Sequence, residues 1–196
     1  ERLISINDPV AWAWLNFVER KALRDDDDGK VIIPAGSPWS LFEIQAAMAR
    51  DTGNTIYECG AEVGKSRDVV LGALWKTDTK EQGWSGLIAA DSDITLQEIW
   101  TEIEFQLEEN PAISGGLFSS RGKPYREKTF VNGNSFQLRL CGHDGKQFRG
   151  AHADDVWADE VTKWKYWQQF NELWRAGRPG CEFRLYSTPD GDYSSP

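Results

Sequence analysis

From Thr55 to Ser187 short apolar runs alternate with segments of helical period, and this alternation narrows the fold more than any other feature of the chain. "NTIYEC" reads as a short strand, and "SRDVVLGALWKT" carries Val69, Val70, Ala73 and Leu74 on one helical face. "GLIAAD", Gly86 to Asp91, is a continuous apolar run of the kind buried on both faces of a parallel sheet. "TLQEIWTEIEFQLEEN" then places Leu96, Ile99, Trp100, Ile103 and Leu107 on one stripe, with Thr95 and Glu98 as a capping box and Pro111 as the stop. "KTFVNGNSFQLRLCG" reads as a hairpin turning at Asn132 and Gly133, the pair suited to a type I′ turn. "DDVWAD", the helix "TKWKYWQQFNELWRAG" and the strand "CEFRLYS" complete the pattern. The expected architecture is α/β, with a mostly parallel sheet and one inserted hairpin.

Upstream, "DPVAWAWLNFVERKAL" opens with an N-cap aspartate and Pro9 and sets Val10, Trp14, Phe17 and Val18 at near-helical spacing, which predicts a helix to about Leu23. The aspartates of "RDDDDGK" read as a solvated loop, because adjacent side chains cannot converge on one ion without a shaped fold. "GSPWSLFEIQAAMARDTG" predicts a second helix, opened by Ser37 or Ser40 and closed before Gly53.

With 196 residues and 40% hydrophobic composition the chain suits one domain with a sizeable core. Its net charge of −9 argues against wrapping nucleic acid through its general surface, so such a role needs a local basic patch or another domain. Cys59, Cys141 and Cys181 are widely spaced and form no C-x-x-C pair, which suggests neither a zinc site nor a disulfide framework. No apolar run approaches the roughly 18 to 20 residues that span a bilayer, and Glu1 begins no recognisable signal peptide, so no membrane role is expected.

"YECGAEVGKSRD" lies where a strand gives way to a helix, the setting in which Gly64-Lys65-Ser66 is chemically meaningful. Backbone N–H groups of the loop from Gly60 through Ala61, Glu62, Val63 and Gly64 can surround a β-phosphate. Lys65 can reach the β and γ oxygens, and the Ser66 hydroxyl can hold Mg²⁺. The first glycine of the usual loop is Cys59 here, a small side chain, with Gly60 supplying backbone freedom one position later.

A hydrolytic site also needs a magnesium carboxylate and a base. The strand Val156 to Ala158 delivers Asp159 and Glu160 side by side at its end, pointing to different faces: Asp159 for Mg²⁺ through water, Glu160 for the attacking water. Asp154 and Asp155, at the other end, read as solvent-facing. Ser187-Thr188-Pro189 closes the last strand, and its hydroxyls should lie beside the other two elements, since ligands gather at strand carboxyl ends in open parallel sheets.

"GAEVGKS", "FRG" ahead of "VWADE", and "STPDG", in that order, resemble the large terminase subunit of tailed phages, the ATPase that pumps DNA into a preformed capsid. The resemblance covers about residues 38 to 196 and implies a three-layer, RecA-like P-loop domain with an additional strand, preceded by a helical segment and linker over 1–37. It implies ATP and Mg²⁺ as ligands, with Lys65 and Ser66 on phosphate and metal, Asp159 on Mg²⁺, Glu160 as catalytic base, and Ser187 and Thr188 in a coupling element. Gln45 is similar to the family's adenine-reading glutamine, whose amide can pair with N6 and N7. Implied partners are double-stranded DNA, a homo-oligomeric ring on a portal and a small terminase subunit, in the cytoplasm of an infected bacterium. The family continues into a metal-dependent nuclease domain, and no cluster like that site is present, so the chain reads as a truncated form.

Two departures bear on charge at the site. Many large terminases carry an arginine four residues before the loop lysine, where this chain has Ala61. Arg149, eleven residues before Glu160, matches the family's arginine proposed to reach a neighbouring subunit, and Arg67 is a second candidate. Trp164, Trp167, Phe170 and Trp174 recur along one helix and read as core or interface packing in preference to base stacking. His143 and His152 suggest no metal site. The rival readings are a superfamily 2 helicase or translocase domain, which needs a second RecA-like lobe, and a nucleotide-binding switch, against which Glu160 speaks.

Overall fold

The computed structural model describes residues 7–20, 23–24, 31–39, 41, 43–60 and 63–189. The aspartate run 25–28, Ser40, Ala61, Glu62 and the end of "STPDG" lie outside the described residues, as do the expectations placed on them.

Helix α1 (Pro9–Asn16) is followed by a two-stranded antiparallel ribbon, β1 (Leu23–Arg24) with β2 (Val31–Ile33), and by α2 (Glu43–Arg50). The main body then runs β3 (Thr55–Glu58), α3 (Lys65–Thr79), β4 (Ser85–Ala90), α4 (Asp93–Glu109), α5 (Pro111–Ser114), β5 (Leu117–Arg121), β6 (Arg126–Phe130), β7 (Ser135–Leu140), β8 (Ala153–Ala158), α6 (Trp167–Ala176) and β9 (Gly177–Ser187). One seven-stranded sheet has the order β3-β9-β8-β4-β7-β6-β5. The five strands from β3 to β7 in that order are parallel, and β6 and β5 add antiparallel at one edge.

Both faces of the central strands are covered, as a parallel sheet requires. Along β4, Ile88 and Ala90 join the core formed with α1, α2, α3 and α4, while Leu87 and Ala89 join a second core with Trp164 and Leu173 on the α6 side. That alternation makes three layers and meets the expectation of an α/β fold with a mostly parallel sheet. Trp12 and Phe17 of the N-terminal segment pack into the first core with Trp39, each ring edge-on to Phe17.

The sequence reading needs several corrections. The first helix stops at Asn16 instead of Leu23, because Phe17 turns extended and Val18 bridges Pro38, its N–H donating to Gln106 across 88 residues. Trp12 and Ala13 form its buried face, and Trp14 is exposed. Ser92 caps α4 in place of Thr95, accepting the Thr95 N–H at 3.2 Å, and Pro111 opens α5. The hairpin at Asn132-Gly133 forms, but β5 extends it to three antiparallel strands. Asp155 is buried, not solvent-facing: it pairs with the buried Lys76 ammonium and accepts the Trp84 indole N–H at 2.6 Å. Asp154 is half-buried and accepts from the Ser85 N–H and Arg178. The helix expected from Thr162 begins only at Trp167, so that Trp164 lies before α6 and is core, whereas Trp167 and Trp174 on it are 73% and 63% exposed.

Candidate functional site

Three strands end at one place. β3 runs parallel to β9 and the pairing continues past its last residue, the Cys59 N–H donating to the Ser187 carbonyl at 3.0 Å. β9 in turn pairs with β8, whose end delivers Asp159 and Glu160. Lys65, the carboxylate pair and the terminal hydroxyls therefore meet at the carboxyl edge of the sheet, the edge at which open parallel sheets gather ligands.

The loop enters α3 through Gly64, in the left-handed region at φ 93°, a conformation an L side chain resists. A Cβ there would also lie 2.3 Å from Gln45 Nε2. Gln45 is buried, and its amide donates to the Val63 carbonyl at 3.0 Å, tying α2 to the loop. Lys65 begins α3, and Ser66 is exposed at its first turn, where backbone N–H groups have no carbonyl one turn earlier to bond.

Lys65 Nζ is the centre of the cluster. It donates to the carbonyls of Cys59 and Gly60, both at 3.2 Å, and to Thr188 Oγ1 at 2.5 Å, and lies 3.7 Å from Glu160 Oε1. The Thr188 hydroxyl donates onward to Glu160 Oε1 at 2.7 Å. Ser187 is buried and donates to Thr162 Oγ1 at 2.9 Å, a partner that nothing in the sequence marked.

The two acids have different environments. Asp159 is 3% exposed, and burial together with the Glu160 charge pushes its carboxyl up to about 6. Its Oδ1 accepts the Glu160 N–H at 3.0 Å. Burial also works to raise Glu160, but the Thr188 hydrogen bond and the Lys163 and Lys65 charges outweigh it and hold the carboxyl below its usual value. Glu160 Oε2 is buried with no hydrogen-bond partner. The residue itself sits at φ 49°, ψ 45°, a left-handed conformation that turns β8 into the 3-10 segment Val161–Lys163.

The arginines stand apart from this cluster. Arg149 is forked onto Glu172 of α6 at 2.9 and 2.8 Å, with its side chain 58% exposed. Arg139 of β7 fixes the turn beneath it, donating to the carbonyls of Gln147 and Arg149 at 2.6 and 3.0 Å. Among the described residues no hydrogen bond or ion pair joins Arg149 to Lys65, Asp159, Glu160 or Thr188. Arg67 pairs with the buried Glu19 and lies 4.9 Å over the Trp39 ring, bracing the N-terminal segment against α3. His143 packs on Tyr166, and no group of His, Cys, Asp and Glu among the described residues forms a metal-binding cluster.

No protein-family model and no curated protein matches the chain at the sequence level. Solved structures do. The chain is similar to the ATPase domain of the Thermus phage P74-26 large terminase, in a mutant form, at 18% identity and a TM-score of 0.61 over 78% of this chain and 66% of that one. It is similar to the HK97 bacteriophage large terminase at 14% identity and a TM-score of 0.71, over 93% of this chain and 37% of that one. A third is the large terminase of a thermophilic bacteriophage in complex with ATP-γ-S, at 17% identity and a TM-score of 0.52 over 76% of this chain and 38% of that one. The chain thus spans just under two thirds of the first of these structures and well under half of the other two. On strand order, layers and structural similarity together, the fold of this chain is that of the ATPase domain of phage large terminases.

Proposed function

We propose that the chain is the ATPase motor domain, over about residues 38–196, of a DNA-packaging terminase, hydrolysing ATP to drive double-stranded DNA into a capsid. The observation that carries this reading is the bridge Lys65–Thr188–Glu160: a loop lysine, a strand-end hydroxyl and a candidate base from three separate elements share one hydrogen-bonded cluster. A pure nucleotide switch has no need of the third member.

The residues fit ATP with Mg²⁺. Asp159 is a buried carboxylate beside a second one, a donor set whose mutual repulsion a divalent cation relieves. Ser66 Oγ and, through water, Asp159 would hold the metal. When bound, Mg²⁺ neutralises charge on the phosphate oxygens. Lys65 exchanges its two loop carbonyls for β and γ oxygens, and backbone N–H groups from Gly60 to Gly64 surround the β-phosphate. Glu160, ionised and with Oε2 accepting no hydrogen bond, orients a water and takes its proton as that oxygen attacks the γ-phosphorus. Thr188 and Ser187, whose partners Glu160 and Thr162 both follow the end of β8, sense the loss of the γ-phosphate.

Gln45 would read adenine after releasing the Val63 carbonyl. Arg149, exposed and remote from its own Lys65, would serve a neighbour's site in a ring, supplying charge worth several orders of magnitude in rate. Ring, portal and small subunit are the partners this implies, in the cytoplasm of an infected bacterium; no described helix is long and apolar enough to cross a membrane. The test is steady-state phosphate release by wild type, Lys65→Ala and Glu160→Ala. Wild type turns over and both variants do not; hydrolysis by Glu160→Ala at the wild-type rate would remove the assigned base.

A further inference from the structure

We propose that Asp68 is a positioning residue of this site, acting through Tyr186 to hold Thr188 in register with Lys65; the inference rests on the ATPase reading. Asp68 lies one helical turn beyond Lys65 on α3 and is 3% exposed, and Tyr186 lies two residues before Thr188 on β9 and is fully buried. The Tyr186 hydroxyl donates to Asp68 Oδ2, joining residues 118 apart in the chain. α3 and β9 are thus fastened twice: by Lys65–Thr188 at the site and by Asp68–Tyr186 one layer beneath it.

The lower fastening is built with polar groups within a largely apolar core, where the charges of the buried Arg184 and Lys76 also act on the Asp68 carboxyl. Asp68 Oδ1 has no hydrogen-bond partner, although both it and Tyr186 are shut away from water. Burying a carboxylate with one oxygen unmet is costly, and two packed apolar side chains would join α3 to β9 without that cost. What apolar packing lacks is direction: a hydroxyl-to-carboxylate bond fixes the rotation of α3 about its axis and the slide of β9 along the sheet. The site depends on both, since Lys65 must reach Thr188 and Thr188 must reach Glu160.

The same bond reaches the elements behind the loop. The Tyr57 ring of β3 stacks on Tyr186 at 5.3 Å, and its hydroxyl donates to Asp51 Oδ2 at 2.7 Å. Arg184, which shares the Tyr186 face of β9, donates to the Asp51 carbonyl at 2.7 Å. Asp51 follows α2, the helix that carries Gln45. One network, buried at Asp68, Tyr186 and Arg184 and half-buried at Tyr57 and Asp51, therefore touches the helix before the loop, the strand before it, the helix after it and the strand that leads into Thr188.

Asp68→Asn and Tyr186→Phe test the inference, the second preserving the ring on Tyr57 while deleting only the hydroxyl. Each is expected to lower kcat by about 10- to 100-fold, the scale of an ångström-level misplacement, with ATP-γ-S affinity within about threefold of wild type. The double variant should be no slower than the slower single variant. Wild-type kcat in both single variants, or an affinity that falls in parallel with kcat and thermal stability, overturns the positioning role. Lys65→Ala and Glu160→Ala in the same assay separate the two readings: if these are inactive while Asp68→Asn is normal, only the positioning role fails. A crystal structure of Tyr186→Phe decides independently of turnover. Lengthening of the 2.5 Å Lys65–Thr188 bond beyond hydrogen-bond reach supports the inference, and an unchanged bond sinks it.

Discussion

Lys65 and Thr188, 123 residues apart, are joined by a 2.5 Å hydrogen bond across the carboxyl edge of the sheet. Thr188 passes that contact on to Glu160 at 2.7 Å, so a single hydroxyl accepts from Lys65 and donates to the candidate base. Thr188→Val keeps the shape and removes both bonds. Its kcat for ATP should fall by about 10- to 100-fold, with nucleotide affinity nearly unchanged, and Thr188→Ser should restore most of the rate. Phosphate release against ATP concentration gives both numbers.

Arg149 is the test of whether a neighbour completes the site. Arg149→Ala alone and Glu160→Ala alone should each be inactive. Mixing the two inactive proteins should recover activity, because a site that joins Glu160 from one with Arg149 from the other is intact. Recovery that grows with protein concentration confirms assembly; mixtures as inactive as their parts would place Arg149 outside the reaction.

The three cysteines should react in a fixed order. Burial pushes the Cys141 thiol up to about 11 and the Cys181 thiol up to about 12. At pH 8 their thiolate fractions are therefore on the order of one in a thousand and one in ten thousand, and the thiolate is the reactive form. Cys59, half-buried in the loop, should be alkylated first, and its labelling should slow when ATP-γ-S and Mg²⁺ occupy the loop. Mass spectrometry of iodoacetamide-treated protein reads out both effects.

Asp155 and Lys76 hold the far end of the sheet. Asp155→Ala leaves the buried Lys76 ammonium with only the half-buried Glu182 carboxylate, at 3.0 Å, and the Trp84 indole N–H without its acceptor. Removing one partner of such a pair typically costs about 3–5 kcal/mol, so the urea midpoint should drop sharply. Replacing the pair together, as Lys76→Met with Asp155→Leu, should restore much of the loss. ATP-γ-S affinity of the folded double variant should stay near wild type, because this pair lies at the opposite edge from Lys65.

What the sequence makes legible is whatever is set by neighbours a few residues away. Gly64-Lys65-Ser66, Asp159-Glu160 and Ser187-Thr188 each close or follow a short strand, so local pattern alone puts them at strand ends, and parallel topology brings the ends together. The carboxyl-edge cluster of Lys65, Glu160 and Thr188 is the outcome. Features set from far away are not legible. Helix α1 ends early because Val18 finds Gln106 across 88 residues, and Asp155 is buried because Lys76 meets it across 79. Trp164 and Trp167 look alike in sequence, yet a turn of 3-10 helix between β8 and α6 sends one into the core and the other into solvent. The partner of Arg149 was equally hidden, since Glu172 gives no local sign of the fork it offers.

Glu160 carries a further consequence through its backbone. At φ 49° it occupies a conformation that costs a non-glycine residue about 1–2 kcal/mol, and its side chain adds a buried carboxylate oxygen that accepts no hydrogen bond and meets only the Lys163 ammonium at 3.7 Å. A screen for heat resistance alone should accordingly favour glycine or asparagine at this position. A residue under that strain is one such a screen would discard early, and the hardened variant would hold nucleotide without turning it over.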